Sequence, residues 1–489
     1  MITRHILANY VGQGAAALLA LVFIPVYVSA LGSEGYGLIG IYSALYAVLG
    51  IVDSSVQALL ARSAAYQNAI GNTNPLTNRL RTFEVVLALI GMIVIGLLAL
   101  AGQLGADALD ARTLERQAIA FSLSAIGIVL ALRLYEGLYR ACLIGLEQQV
   151  LFNAIHVFNQ TVRWGGAALI VTRVSPTVQA FFLWQVFSAM VSAGLLAMAS
   201  YNKLEWLKGA RIDWASLWSE RRFLSGMLVI SGVAVLLTQT DKLLLAKLLP
   251  LADYGNYALA ATAAGALMLA VAPIADAYYP RLVQARAQSD DQMFAQVFHQ
   301  GARWVTATVG TLALVGVVFA DTILMAWARD AMLAKQVVPL FQVLLIGNLL
   351  NAFMWIPYRA QLAAGWTGLA ARINVIALFI LVPLIFVFVP HYGAVAAAWI
   401  WVALNGGYVV LGANLMFRKL LTDEKKGWYL RDLLMPLVAP LFWSLIFDAV
   451  GSFVKEGLLQ LGGVFMAAVL GIVSSLWVVH RLGQKEPGE

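Results

Sequence analysis

The chain has one cysteine, Cys142, and very little charge. A single thiol excludes an intrachain disulfide and a cysteine-built zinc site. Charged residues make up 12% of the sequence, against roughly 25% in a soluble domain. Long polar segments are missing too: no interval between apolar runs exceeds about 25 residues, too short to fold as a domain. There is no P-loop and no HExxH pattern, so the sequence offers no footing for nucleotide-driven work or zinc hydrolysis. Gly12, Gly14 and Ala17 imitate a dinucleotide fingerprint, but they lie inside an apolar run with no strand before them and read as helix packing.

What is present is apolar sequence. Hydrophobic residues make up 61% of the chain and the mean hydropathy is +0.82. Stretches of about 20 apolar residues, the length a helix needs to cross hydrocarbon, recur from Ile6 to Val479. Fourteen spans are expected, at 6–30, 38–60, 82–101, 118–139, 151–172, 178–200, 223–248, 256–278, 304–320, 337–358, 369–389, 394–416, 432–450 and 459–480. The first is too long for a cleavable signal and reads as a retained helix. With the N-terminus placed in the cytoplasm, 22 Lys and Arg fall on that side and 7 on the other. This bias puts both termini in the cytoplasm. The net charge of +7 therefore reflects short basic turns, and nucleic acid is not an expected partner. Segment 201–222 mixes Trp206, Trp214 and Trp218 with Lys and Arg and reads as an amphipathic helix lying at the interface.

A weak repeat is visible. Leu31–Leu45 (LGSEGYGLIGIYSAL) and Leu249–Ala263 (LPLADYGNYALAATA) are offset by 218 residues, and each carries a Tyr-Gly turn. A third echo, His391-Tyr392-Gly393, opens the twelfth span. Duplicated halves with the substrate site between them are common in transporters.

Ionisable groups at mid-bilayer cost roughly 2.5–3.5 kcal/mol each, so they face a cavity or a partner. Span four carries Arg133, Glu136 and Arg140 on one helical face. Glu136 is spaced to pair with either arginine. Span five carries His156, Asn159, Gln160 and Arg163, and span ten carries Asn348, Asn351, Trp355 and Arg359. Span two holds Asp53 and Gln57, with Arg62 near its inner end. Span one has Asn9 and Gln13, span seven has Asp241 and Lys242, and span eight ends with Asp276 and Arg281. Helix–helix pairing competes with function at Glu136, Asp241 and Lys242, and amide glue competes at Asn348 and Asn351. Arg62, Arg281 and Arg359 can also be topogenic or snorkelling. Together Arg62, Arg133, Arg140 and Arg163 outnumber Asp53 and Glu136. A guanidinium surplus in a cavity wants an anion, and a diphosphate suits its fork of donors. The amides and tryptophans suit a hydroxyl-rich ring.

On these residues the chain resembles the Wzx-type polysaccharide flippases of the multidrug/oligosaccharidyl-lipid/polysaccharide exporter superfamily. The resemblance is carried by Asn9 and Pro25, LGSEGYG at 31–37, Asp53 followed by Arg62, DKLLLAKLLPLADYGNYALA at 241–260, AYYPRLVQA at 277–285 and HYGAVAAAW at 391–399. It implies an all-α polytopic fold of about 14 transmembrane helices: two pseudo-symmetric six-helix lobes around a central cavity, plus two C-terminal helices. The divisions are 1–200 for the first lobe, 201–222 for the connector, 223–416 for the second lobe and 417–489 for the last helices and tail. The implied cargo is a polyprenyl-diphosphate-linked glycan crossing a bacterial inner membrane. Lumen charges matter in the family, and those matching here are Asp53, Arg62, Arg133, Arg163, Asp241, Lys242 and Arg359. Unlike the lipid II branch, span one is uncharged.

The expected function is thus a flippase without enzymatic activity, working by alternating access. Arg133, Arg140 and Arg163 would take the diphosphate, Asp53 and Glu136 would hold the arginines, and Asn348, Asn351 and Trp355 would meet the sugars. Asp241 and Lys242 would carry a coupling ion, H+ or Na+, or a gate; no cofactor or metal is expected. Membrane lipids surround the chain, and a polysaccharide polymerase and chain-length proteins are the expected downstream partners. The rivals are a cation-coupled drug antiporter of the same superfamily, which would want acidic residues, and a membrane glycosyltransferase, which would want a larger loop.

Overall fold

The computed structural model describes the backbone of residues 2–70, 74–204, 210–366, 368–451 and 457–483. The side chains of Asn9, Gln13 and Arg62, and residue Trp206 of the connector, lie outside the described residues. All regular structure among the described residues is helical. A bilayer core has no water to satisfy backbone N–H and C=O groups, so each segment must satisfy its own. Hydroxyls in the spans do likewise, as Ser55 donates to the Ile51 carbonyl at 2.7 Å and Thr82 to the Asn78 carbonyl at 2.7 Å.

The chain forms two compact units, Met1–Gly255 and Asn256–Glu489. The first contains α1 (Ile2–Ile70), α2 (Asn74–Gly105), α3 (Arg116–Gly145), α4 (Gln149–Leu169), α5 (Val178–Lys203), the short α6 (Trp214–Ser219) and α7 (Arg221–Leu248). The second begins within α8 (Leu251–Gly265). It continues with α9 (Met268–Ala287), α10 (Asp291–Val305), α11 (Thr311–Val318), α12 (Ala320–Ala328), α13 (Ala331–Phe353), α14 (Trp355–Ala363), α15 (Gly368–Gly407), α16 (Ala413–Phe417), α17 (Lys425–Gly427), α18 (Met435–Gly451) and α19 (Gly457–Gly483).

Ten helical stretches among the described residues are long and apolar enough to cross a membrane. Two of them hold two expected spans each, because α1 breaks at Gly32 (φ 71°) and α15 at Gly393 (φ 66°). These are left-handed conformations that glycine adopts without a Cβ penalty. The fifth and seventh expected spans are α4, continued by a π-helical turn at Ile170–Val174, and α7. All fourteen expected spans are helical, and several helices run past them; α2 starts at Asn74 and α10 at Asp291.

In the first unit α3 packs against α1, α2 and α5, and α4 packs against α1 and α5. The core between α1, α2 and α3 is built from Leu59, Leu60, Leu76, Leu80, Phe83 and Leu138. The described part of the connector is tied to the start of α2. Asp213 N donates to Thr82 Oγ1 at 2.9 Å, and Arg79 Nε donates to Ser216 Oγ at 2.9 Å. Trp214 and Trp218 stay exposed, as an interfacial segment requires.

The sequence repeat has a physical counterpart. A Cβ on Gly37 would lie 2.7 Å from the Leu251 carbonyl oxygen, and one on Gly255 would lie 2.0 Å from the Ser33 carbonyl oxygen. Ser33 and Leu251, like Gly37 and Gly255, are equivalent positions at the 218-residue offset. Each repeat therefore presses its glycine onto the other's backbone, a reciprocal contact of the kind a two-fold axis generates. Tyr36 and Tyr254 are buried beside it. Glu34 fixes the neighbouring loop, accepting from Arg112 N at 2.7 Å, Thr113 Oγ1 at 2.6 Å and Leu114 N at 2.9 Å.

Gly255→Ala should lower stability in detergent by about 2 kcal/mol, the usual cost of overpacking a tight site. Gly50→Ala, where nothing lies within 4 Å of the new methyl, should leave the melting temperature unchanged or raise it. Melting curves of the two variants that coincide would show that the backbones at 33–37 and 251–255 do not meet this closely.

Candidate functional site

The first unit gathers the charged residues on three helices. The second half of α1 supplies Tyr42, Tyr46, Asp53 and Gln57; α3 supplies Arg133, Glu136 and Arg140; α4 supplies His156, Asn159, Gln160 and Arg163. The i, i+3 and i+4 spacing on α3 and α4 keeps each set on one stripe.

The three arginines are held in three different ways. Arg133 is buried and ion-paired to Glu136 through Nη1 and Oε2, with side chains 6% and 15% exposed. Arg163 has no ion pair among the described residues. Its Nε donates to Gln185 Oε1 at 2.9 Å and its Nη2 to the Tyr42 hydroxyl at 2.8 Å. Its guanidinium also lies 4.7 Å from the centre of the Trp164 ring, a cation–π arrangement. Arg140 is exposed, rests 5.9 Å from the Phe152 ring centre, and makes no hydrogen bond or ion pair among the described residues. Asp53 lies on the facing stretch of α1. That carboxylate accepts from Gln57 Nε2 at 2.5 Å and lies against α3 at Gly137, where a Cβ would fall 1.7 Å from Asp53 Oδ1.

Several buried polar atoms here have no protein partner: Arg133 Nε, Glu136 Oε1, Asn159 Oδ1, Gln160 Oε1 and Gln185 Nε2. Buried polar groups are normally satisfied. The stripe thus retains donor and acceptor capacity beyond its internal bonds. Asp241 and Lys242 sit side by side on α7, 4.0 Å apart, with Lys242 Nζ donating to the Thr238 carbonyl at 2.9 Å. The side chain of Arg62 lies outside the described residues.

In the second unit the amides are largely spent on packing. Asn351 Nδ2 donates to Asn405 Oδ1 at 2.8 Å, and Trp401 Nε1 donates to Asn348 Oδ1 at 3.0 Å, fastening α13 to α15. Trp355 Nε1 donates to Asn351 Oδ1 at 3.2 Å. Arg359 on α14 pairs with Asp276 on α9 at 2.5 Å, under the Tyr279 ring. A cavity of about 340 Å³ adjoins them, lined in part by Asn351, Trp355 and Arg359.

Sequence reasoning missed the residues that clamp Arg163. Tyr42 and Gln185 are uncharged and carry no cost signal of their own. It also missed two charged clusters. Glu84 on α2 accepts from the hydroxyls of Tyr139 at 3.0 Å and Tyr201 at 2.6 Å and pairs with Arg81 at 2.8 Å. Asp432, fully buried, pairs with Arg303 at 2.7 Å and with His299, whose Nε2 lies 2.9 Å from Glu424 Oε2. Arg303, which sequence alone places among the topogenic residues, is 3% exposed and locks α10 to the turn before α18. The carboxylates within spans were the available signal in both cases.

Comparison with known proteins agrees with this architecture. Residues 2–286 match the family described as "Polysaccharide biosynthesis protein". A Shigella flexneri protein named "Putative O-antigen transporter" is 22% identical over 402 residues, spanning 82% of this chain and 94% of its own. A solved structure of the lipid II flippase MurJ, in an inward closed conformation, superposes with a TM-score of 0.65 at 9% identity, over 98% of this chain and 99% of that one. An inward-facing multidrug resistance MATE family transporter of the MOP superfamily gives 0.64 at 12% identity, over 84% and 96%. At these identities the structural likeness concerns the fold alone.

Glu136→Gln should destabilise the protein by about 3–5 kcal/mol, because it strands the Arg133 guanidinium in a buried site. Arg140→Ala, which removes an exposed cation, should stay within about 0.5 kcal/mol of the parent. Thermal unfolding in detergent separates the two. A loss at Arg140 equal to that at Glu136 would mean that Arg140 also has a structural partner.

Proposed function

Since the chain belongs to the polysaccharide biosynthesis protein family, we propose that it is a flippase for a polyprenyl-diphosphate-linked oligosaccharide. It carries the glycan from the cytoplasmic to the periplasmic leaflet of a bacterial inner membrane, with both termini in the cytoplasm. The observation that carries this reading is the state of the arginines. Arg163 is ligated by a phenol, an amide and an indole but by no carboxylate, and Arg140 is exposed. Neutral ligands orient a guanidinium without cancelling its charge, so the stripe keeps a net attraction for an anion. A diphosphate offers the oxygens that Arg140 and Arg163 would bind, while Arg133 is held and neutralised by Glu136.

Asp53 positions Arg140 in this scheme, and Asp241 with Lys242 remains the pair for a coupling ion or gate. The cavity beside Asn351, Trp355 and Arg359 receives sugar. The delivered lipid-linked glycan then passes to a polymerase and chain-length proteins. A drug antiporter would need an acidic stripe for a cationic cargo, and the cations here argue against it.

The test is the leaflet in which the lipid-linked glycan resides. In membranes from a strain lacking this gene, a labelled glycan should stay inaccessible to a periplasmic glycan-modifying probe, and surface polysaccharide should fall to background. Complementation with Arg140→Ala plus Arg163→Ala should restore less than about one-tenth of parental export, equivalent to more than 1.4 kcal/mol of lost interaction, with the variant still present in the membrane. Full export from that double variant would sink the arginine assignment. Normal periplasmic exposure of the glycan in the deletion strain would sink the flippase itself.

A further inference from the structure

The cavity beside Arg359 does not end at its polar walls. It continues into a second cavity of about 360 Å³ that is lined almost wholly by aliphatic side chains. The two share Ile373, Tyr408 and Gly412 as walls. The junction falls on a π-helical turn, Tyr408–Gly412, a local widening that recurs at functional sites.

The two compartments have different chemistry. The first cavity sets Trp355, Arg359, Gln361 and Asn374 among a mostly apolar lining that includes Met354 and Ile373. The Trp355 ring is fixed by its bond to Asn351 and offers a flat face. Gln361 is 4% exposed, and its Oε1 has no partner within the protein. A buried acceptor in that state wants a donor. A phosphate supplies none, whereas a sugar hydroxyl does. Arg359 at the same end is ion-paired to Asp276, so this cavity carries little net charge.

The aliphatic groove lies between the two arms of α15 and the turn that follows. Its sides include Ile376, Ile380, Leu411 and Leu415, all exposed on the protein surface, and so it opens sideways into hydrocarbon. From Ile373 to Leu384 it follows eleven residues of helix, about 16 Å. That is close to half of the roughly 30 Å hydrocarbon core. A groove one leaflet deep, topped by a box that accepts from hydroxyls, matches a molecule with one hydrocarbon chain and a sugar at the polar end.

We propose that this paired cavity is a loading subsite for the lipid-linked glycan, distinct from the arginine stripe of the first unit. The first isoprene units lie in the groove, and the reducing-end sugar stacks on Trp355 and donates to Gln361 Oε1. The assignment rests on the flippase reading and adds to it the place where the lipid is first held.

The experiment uses the full-length protein in phosphatidylcholine nanodiscs. The probe is a short-chain polyprenyl diphosphate carrying one N-acetylhexosamine and a diazirine on the prenyl chain. Crosslinks mapped by mass spectrometry should fall within 376–384 and 404–415 and should vanish in Leu404→Trp, which fills the groove. Gln361→Leu, which removes an unpaired acceptor and so spares folding, should weaken binding of the glycosylated probe by about three- to tenfold. The same variant should leave the sugar-free prenyl diphosphate unaffected. Crosslinks confined to other helices would overturn the subsite while leaving the flippase reading intact. Groove labelling that phosphatidylglycerol displaces as well as unlabelled probe does would reassign the site to a phospholipid and also overturn it. No crosslink anywhere in the chain would overturn the subsite together with the reading it rests on.

Discussion

A guanidinium inside hydrocarbon must be paired, ligated or in contact with water, and this requirement organises the interior of the first unit. Arg133, Arg163 and Arg140 occupy the three conditions in turn. The carboxylate on Arg133 removes both the desolvation problem and the charge. The phenol, amide and indole on Arg163 remove only the first. Exposure solves the problem for Arg140 without any partner. The consequence is a stripe in which one arginine is neutralised by a carboxylate and two are not.

The second unit meets the same constraint with neutral groups. Asn348, Asn351, Asn405 and Trp401 close on one another, so the amides of span ten hold helices together. Arg359 is neutralised by Asp276. What remains around the cavity is hydrogen-bonding capacity with little net charge, a surface suited to hydroxyls more than to phosphate.

The fold was legible in the sequence almost to the helix, because hydrocarbon thickness sets span length and backbone satisfaction leaves no alternative to helix. The break at Gly393 falls at the expected Tyr392-Gly393 turn, whereas Tyr36-Gly37 is helical and the chain breaks at Gly32 instead. The site was legible only as a set of positions. Spacing along α3 lets Glu136 reach Arg133 or Arg140 with similar ease. The choice is settled by α1, which presses Asp53 onto Gly137 and puts a second carboxylate on the Arg140 side. No local pattern carries that information. Distance in sequence hid Asp432 from His299 and Arg303 in the same way, since a basic residue near a helix end reads as topogenic until its partner arrives from 129 residues away.

The repeat shows the opposite case, where weak sequence similarity marked a strong physical contact. At the Gly37 and Gly255 crossing a backbone carbonyl oxygen occupies the space each Cβ would need, and the Leu251 side chain also closes on Gly37. The duplicated sequence places one small residue at the same position of each repeat, where a larger side chain in either copy would hold the two backbones apart.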